Sequence, residues 1–158
     1  MVRDNNAEAI QVNHRIELEF QVAGEFDQSY AQAAVAVKFK SPQGDEVEVP
    51  GFWDGGQVWK VRFAPPVCGT WTWETVSGHA ANDGLSPGTG SFEAMPYEGA
   101  NPIYRHGFLK VNENGRGFVH RDGTPFFWLG DTAWAATSKA SVEEWAAYLE
   151  RRSGQGFN

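Results

Sequence analysis

In residues 13–22, Asn13-His14-Arg15-Ile16-Glu17-Leu18-Glu19-Phe20-Gln21-Val22, the apolar residues Ile16, Leu18, Phe20 and Val22 alternate with Arg15, Glu17, Glu19 and Gln21. An extended chain points successive side chains to opposite faces, so this period of two predicts a strand with one face buried and one wet. The pattern recurs downstream. Ala33 to Lys40 places Val35, Val37 and Phe39 on one face and ends at Ser41-Pro42-Gln43-Gly44, a turn in which proline presets φ and glycine accepts φ > 0. Val47 and Val49 open a short strand that Pro50-Gly51 interrupts. Phe52-Trp53 then leads into the hairpin signal Asp54-Gly55-Gly56, and Val58, Lys60 and Arg62 alternate with Trp59, Val61 and Phe63 on the return. Ala64-Pro65-Pro66 stops that strand because proline cannot donate to a ladder. Thr70 to Ser77 sets Trp71, Trp73 and Thr75 against Thr72, Glu74 and Val76; a Gly/Asn/Asp/Ser/Pro-rich loop runs from Gly78 to Gly90, and a last strand carries Phe92 and Ala94. Six or so strands spaced roughly 8 to 15 residues apart, with no helical period, predict an antiparallel β-sandwich in a mainly β chain.

Composition agrees. The 158 residues include 7 Trp, 11 Phe and 18 Gly, a balance that suits short strands and tight turns. At this length a core needs no disulfide or structural metal, and the single Cys68, expected as a small buried residue, has no partner for an internal disulfide. The net charge of -7, a pI near 5.0 and a mean hydropathy of -0.46, with no basic run, argue against nucleic acid or anionic lipid as partner. No apolar stretch approaches the roughly 20 residues that span a bilayer, and Met1-Val2-Arg3-Asp4-Asn5-Asn6 lacks the apolar core of a signal peptide. A soluble protein is expected, with no assigned compartment.

The sandwich is expected to fill a domain over residues 1–95, followed by a linker over 96–106 that opens with Pro96 to Pro102. In residues 107–158 the pattern changes. Phe108 to Val111, Gly117 to His120 and Pro125 to Leu129 read as short strands separated by turns at Asn114-Gly115 and Asp122-Gly123. The run Phe126-Phe127-Trp128-Leu129 has no alternation and predicts a strand buried on both faces, as in a parallel sheet or barrel. Ser141-Val142-Glu143-Glu144 is a capping box that should start a helix. Val142, Trp145, Ala146 and Leu149 form its apolar stripe; Glu143, Glu144, Glu150, Arg151 and Arg152 take the wet face, and Gly154 and Gly156 end it. Phe157-Asn158 falls where a new strand would begin, so a hairpin and one β/α unit are expected here, either a fragment of a longer β/α repeat or a unit whose apolar surfaces something else covers.

The words Gly107-Phe108-Leu109, Phe118-Val119-His120 and Asp122-Gly123-Thr124-Pro125-Phe126-Phe127-Trp128-Leu129-Gly130-Asp131-Thr132-Ala133-Trp134 resemble the opening of the apiosidase-like glycoside hydrolases. Upstream, Phe52-Trp53-Asp54-Gly55-Gly56, Trp59-Lys60-Val61-Arg62-Phe63-Ala64-Pro65 and Gly69-Thr70-Trp71-Thr72-Trp73 resemble the immunoglobulin-like domain of unknown function that precedes such barrels. The resemblance implies an eight-stranded β/α barrel, of which seven strands lie beyond Asn158, and two catalytic carboxyl groups on later strands. It therefore implies no catalytic residue in this chain, which should be the accessory N-terminal portion of a bacterial carbohydrate-active enzyme.

The candidate site residues are few. Asp131, at the end of the first barrel strand, is the candidate for hydrogen bonds to sugar hydroxyls, or else caps the chain with Thr132. Trp134 is a candidate for stacking on a sugar ring, or else core. Trp53, Trp59, Trp71 and Trp73 could form a sugar platform with Asp54 and Arg62 at its edge, in which case Trp53 and Trp59 bind substrate; the alternative, which the alternation of Trp59, Trp71 and Trp73 favours, is core packing with Asp54 in a turn. His14, His79, His106 and His120 are scattered without metal-ligand spacing, so no metal and no cofactor are expected. If the chain stands alone, the apolar residues Phe126, Phe127, Trp128, Trp145 and Leu149 predict a homo-oligomer through the C-terminal β/α segment, a binding module with carbohydrate as its ligand.

Overall fold

The computed structural model describes residues 10–21, 35–76 and 88–158. Val22, Ala33 and Ala34 of the expected strands, Ser77, and most of the loop expected from Gly78 lie outside the described residues. The chain forms two compact units, Met1–Phe108 and Leu109–Asn158.

In the first unit the alternating stretches become strands β1 (Ile16–Gln21), β2 (Ala36–Lys40), β3 (Glu46–Pro50), β4 (Phe52–Trp53), β5 (Val58–Phe63), β6 (Gly69–Val76) and β7 (Thr89–Ala94). They build two antiparallel sheets, ordered β1-β5-β4 and β3-β2-β6-β7. Each alternating stretch turns its apolar side to the same interior. Ile16, Leu18 and Phe20 of β1 and Trp59, Val61 and Phe63 of β5 meet Val35, Val37 and Phe39 at β2 and Trp71 and Trp73 of β6. Aromatic contacts join the sheets. Phe39 stacks on Phe63 at 4.0 Å between ring centroids, Trp71 meets Phe63 edge-on at 5.1 Å, and Trp73 meets Phe20 edge-on at 6.1 Å. Gly90, opposite Trp73 in the β6–β7 register, makes room for this packing: a Cβ there would lie 2.6 Å from the indole. Cys68, expected inside, is exposed, because it lies in the turn between Pro66 and β6, outside the alternating faces.

Within the expected linker, Pro102–His106 forms one helical turn, α1. The side chain of Asn101 accepts from the Ile103 N–H, and Pro102, which has no N–H to leave unsatisfied, occupies the first turn.

The second unit holds a three-stranded antiparallel sheet, β8 (Leu109–Val111), β9 (Phe118–His120) and β10 (Pro125–Phe126), in the order β10-β9-β8. Its turns use the expected chemistry: the Asn112 and Asn114 side-chain oxygens accept from Arg116 N–H, and Asp122 Oδ1 accepts from Thr124 N–H. The third strand departs from expectation. It stops at Phe126, and Phe127 and Trp128, expected to be buried on both faces, are 78% and 62% exposed. An unbroken apolar run is buried only where further layers cover both sides, and none does so among the described residues. After a short helix, α2 (Ala136–Lys139), comes α3 (Val142–Gly154), capped by Ser141 as the capping box predicts. Among the described residues, no helix is long and apolar enough to cross a membrane.

Candidate functional site

In the second unit Asp131 follows the run Phe127–Gly130 and faces α3. Ser141 starts that helix by accepting from Glu144 N–H at 3.2 Å, while Glu144 Oε2 accepts from Ser141 N–H at 2.9 Å. This entry sets the helix phase. Residues three, four and seven positions apart share a face, and Trp145, Tyr148, Leu149 and Arg152 line one open depression of about 350 Å³ with Asp131 and Phe157. Arg152 Nη2 lies 2.6 Å from Asp131 Oδ2, and the Tyr148 hydroxyl donates to Asp131 Oδ1. The guanidinium also lies over the rings of Phe157 at 4.8 Å and Tyr148 at 5.4 Å, and Tyr148 in turn stacks with Trp145.

Asp131 therefore neither caps the loop nor presents a bare carboxylate: each of its oxygens has a partner on α3. Sequence reasoning placed Arg152 on the wet face and missed Tyr148. The signal was present, since at about 100° per residue Arg152 falls only about 20° from Trp145 around the helix. The other acidic groups of this unit are engaged locally or exposed. Asp122 serves its turn and Glu144 the capping box. Hydrogen bonds from the Glu143 backbone and the Ser141 side chain hold the Glu143 carboxyl below its ordinary range. Glu113 and Glu150 are exposed. Among the described residues no three His, Cys, Asp or Glu side chains converge in a way that could hold a metal ion. Trp134 is 92% exposed, on the turn between Asp131 and α2.

The four sandwich tryptophans separate. Trp59, 1% exposed, lies in the core with Trp71 and Trp73 and presents no face to a ligand, which corrects the expectation that Trp59 binds substrate. Its position on β5 decides this, because the odd-numbered residues 59, 61 and 63 face inward. Trp53, on the edge strand β4, remains 46% exposed, with its ring fixed by an Nε1–H donated to Gly56 O at 2.9 Å. The outer face of that sheet carries a charge chain: Asp54 to Lys60 at 2.6 Å, Lys60 to Glu17 at 3.2 Å, and Glu17 to Arg62 at 2.7 Å. Arg62 lies 4.6 Å over the Phe52 ring. The Arg62 hydrogen bond, aided by Lys60, holds the Glu17 carboxyl below its ordinary range against the opposing effect of burial. Asp54 and then Glu17 raise the Lys60 ammonium above its ordinary value. Asp54 is thus a turn residue whose carboxylate is spent on Lys60.

Comparison with known proteins matches both parts of the chain. Residues 9–78 match the domain of unknown function DUF5060, and residues 112–158 match the apiosidase-like catalytic domain. A crystal structure of a "putative glycoside hydrolase" from Bacteroides vulgatus ATCC 8482 covers 90% of this chain at 25% sequence identity, with a TM-score of 0.66. The chain spans 26% of the length of that protein. No curated protein matches the sequence. The chain is thus similar, in this order, to a DUF5060 domain and to part of the apiosidase-like catalytic domain.

Proposed function

We propose that this chain is the accessory N-terminal portion of a bacterial glycoside hydrolase-like enzyme and is not catalytic by itself, with a sandwich domain over residues 1–95 and the start of a β/α barrel over 107–158. The observation that carries the reading is the engagement of Asp131 by Tyr148 and Arg152 within the segment that matches an apiosidase-like catalytic domain. Glycoside hydrolysis requires two carboxyl groups flanking the scissile bond, about 5 to 5.5 Å apart for retention or about 6.5 to 9.5 Å for inversion. Asp131, Asp122 and Glu144 are tied to structural partners. Trp134 is the side chain of this segment proposed to stack on a sugar, a role its 92% exposure supports. The purified chain, incubated with aryl glycosides and plant cell-wall oligosaccharides, is expected to show no turnover. Turnover that survives repurification and disappears in a single Asp or Glu variant overturns the proposal.

A second reading, a free-standing oligomeric binding module, is favoured by the exposure of Phe127, Trp128, Val142 and Leu149 in one small unit. Monomers seldom leave large apolar patches in water, and a homo-oligomer joined through this segment would cover them. A monodisperse monomer in light scattering refutes it. Carbohydrate binding by the sandwich would require saturable binding that Trp53→Ala abolishes in a folded protein.

A further inference from the structure

The end of α3 is built to return the chain. Gly156, at φ +86, takes the left-handed position that glycine adopts without strain, and two hydrogen bonds complete a Schellman turn: Gly156 N–H to Ser153 O at 3.0 Å and Phe157 N–H to Arg152 O at 3.1 Å. The residue whose carbonyl closes that turn is also the one whose side chain grips Asp131, and its guanidinium packs on the Phe157 ring. Immediately beyond, Asn158 meets the exposed run after β10 at three points. Its N–H donates to Leu129 O at 3.0 Å, its Oδ1 accepts from Leu129 N–H at 3.2 Å, and its Nδ2 donates to Phe127 O at 2.8 Å. A helical crossover is the connection that parallel strands need, and here it delivers Asn158 to one edge of residues 127–129.

We infer that Asp131, Tyr148 and Arg152 form a clamp that fixes the end of α3 and so holds Asn158 against the edge at Phe127–Leu129. Asp131 is a positioning residue: it acts through Arg152 on the placement of Asn158, and its carboxylate is not a sugar ligand. The inference rests on contacts inside the second unit and stands whether or not the chain belongs to a working glycosidase.

Amide hydrogen exchange in the full chain, followed residue by residue by NMR, tests it. Arg152→Ala removes both the ion pair and the packing on Phe157. The pair is partly open to water, which weakens a charge-assisted hydrogen bond, so exchange at Leu129 and Asn158 is expected to rise roughly tenfold, with Val119 in β9 and the capped Glu144 amide unchanged. Arg152→Lys, which keeps the charge, should recover part of the protection. Unaltered exchange at Leu129 and Asn158 overturns the clamp, and so does an equal rise across the whole unit, which would mark Arg152 as a general stabiliser. Should Arg152→Ala fail to fold, Tyr148→Phe removes a single hydroxyl, and a roughly threefold rise at the same two amides, or its absence, decides the matter. Binding of a xylo- or arabino-oligosaccharide that is lost in Asp131→Asn while both amides stay protected would return Asp131 to the sugar and refute the positioning role. These outcomes are independent of turnover, so either idea can fail alone.

Discussion

Trp53 and Trp59 face each other across the β4–β5 pair, yet truncating them should have opposite consequences. Trp59 is 1% exposed. A buried tryptophan removes about 150 to 250 Å² from water, which at about 25 cal/mol per Å² amounts to about 4 to 6 kcal/mol. Part of that survives in the alanine, whereas the cavity left behind adds cost, so Trp59→Ala should destabilise the first unit by about 3 to 5 kcal/mol. Trp53 is 46% exposed and contributes about half as much transfer energy, with a hydrogen bond to Gly56 that water can replace. Trp53→Ala should cost about 2 kcal/mol or less. In urea unfolding followed by far-ultraviolet circular dichroism, with a slope of about 1.5 kcal/mol per M, the midpoint should fall by about 2 to 3 M for Trp59→Ala and by about 1 M or less for Trp53→Ala. Because a domain has only about 5 to 15 kcal/mol to lose, Trp59→Ala sits near the threshold of folding, and sugar binding lost in that variant would report on the fold. Equal midpoint shifts for the two variants, or a larger one for Trp53→Ala, would refute the division of the tryptophans into core and surface.

Two further outcomes follow from local chemistry. Ser141→Ala, which removes the N-terminal cap of α3, should lower the stability of the second unit by about 1 kcal/mol and reduce ellipticity at 222 nm; an unchanged helix signal and melting curve would show that Glu144 alone holds that end. The folded pKa of Glu17 lies below the ordinary 4.5, so its ion pairs with Arg62 and Lys60 stabilise the fold above that value and lose their contribution as pH falls through the folded pKa. The stability difference between the native chain and Glu17→Gln should therefore be constant near neutrality and shrink below about pH 4.5, and a difference independent of pH down to acid unfolding would count against the pairing.

The strands of the first unit were legible because alternation is a geometric requirement. Ile16, Leu18 and Phe20, or Trp59, Val61 and Phe63, can share a face only in an extended chain, and the polar residues between them leave one face to bury. The capping box was legible for a similar reason, since Ser141 and Glu144 satisfy each other without help from distant residues. Three features were not. Phe127 and Trp128 read as buried because apolar runs usually are, but composition does not specify what covers a strand. Arg152 read as solvated because its neighbours Glu150 and Arg151 are, although its angle on the helix places it beside Trp145. Its partner Asp131 is twenty-one residues away, beyond the reach of a local pattern. The short helix α1 escaped because a proline-rich stretch suggests a linker, whereas Pro102 at a first helical position starts a turn as readily as it interrupts one.

The two units are held by different physics, and that difference bears on function. In the first, apolar faces from two sheets cover one another, and the aromatic contacts among Phe20, Phe39, Phe63, Trp71 and Trp73 tie them across the interior. In the second, no side chain of α3 is buried, and Val142 and Leu149 of its apolar stripe are exposed. Its order rests on short-range devices, the Asx turns at Asn114 and Asp122, the Ser141–Glu144 box and the Schellman turn at Gly156, together with the one longer-range grip of Arg152 on Asp131. Each of these contributes about 0.5 to 2 kcal/mol and fixes direction more than it adds stability. Such a unit has its strand, helix and returning edge in place before any surface covers them. A covering partner then needs only to bury apolar area already arranged, because the ordering cost of the segment has been met locally. Under the proposed function that is what the first element of a larger β/α assembly requires, and it is the reason we assign Asp131 to positioning.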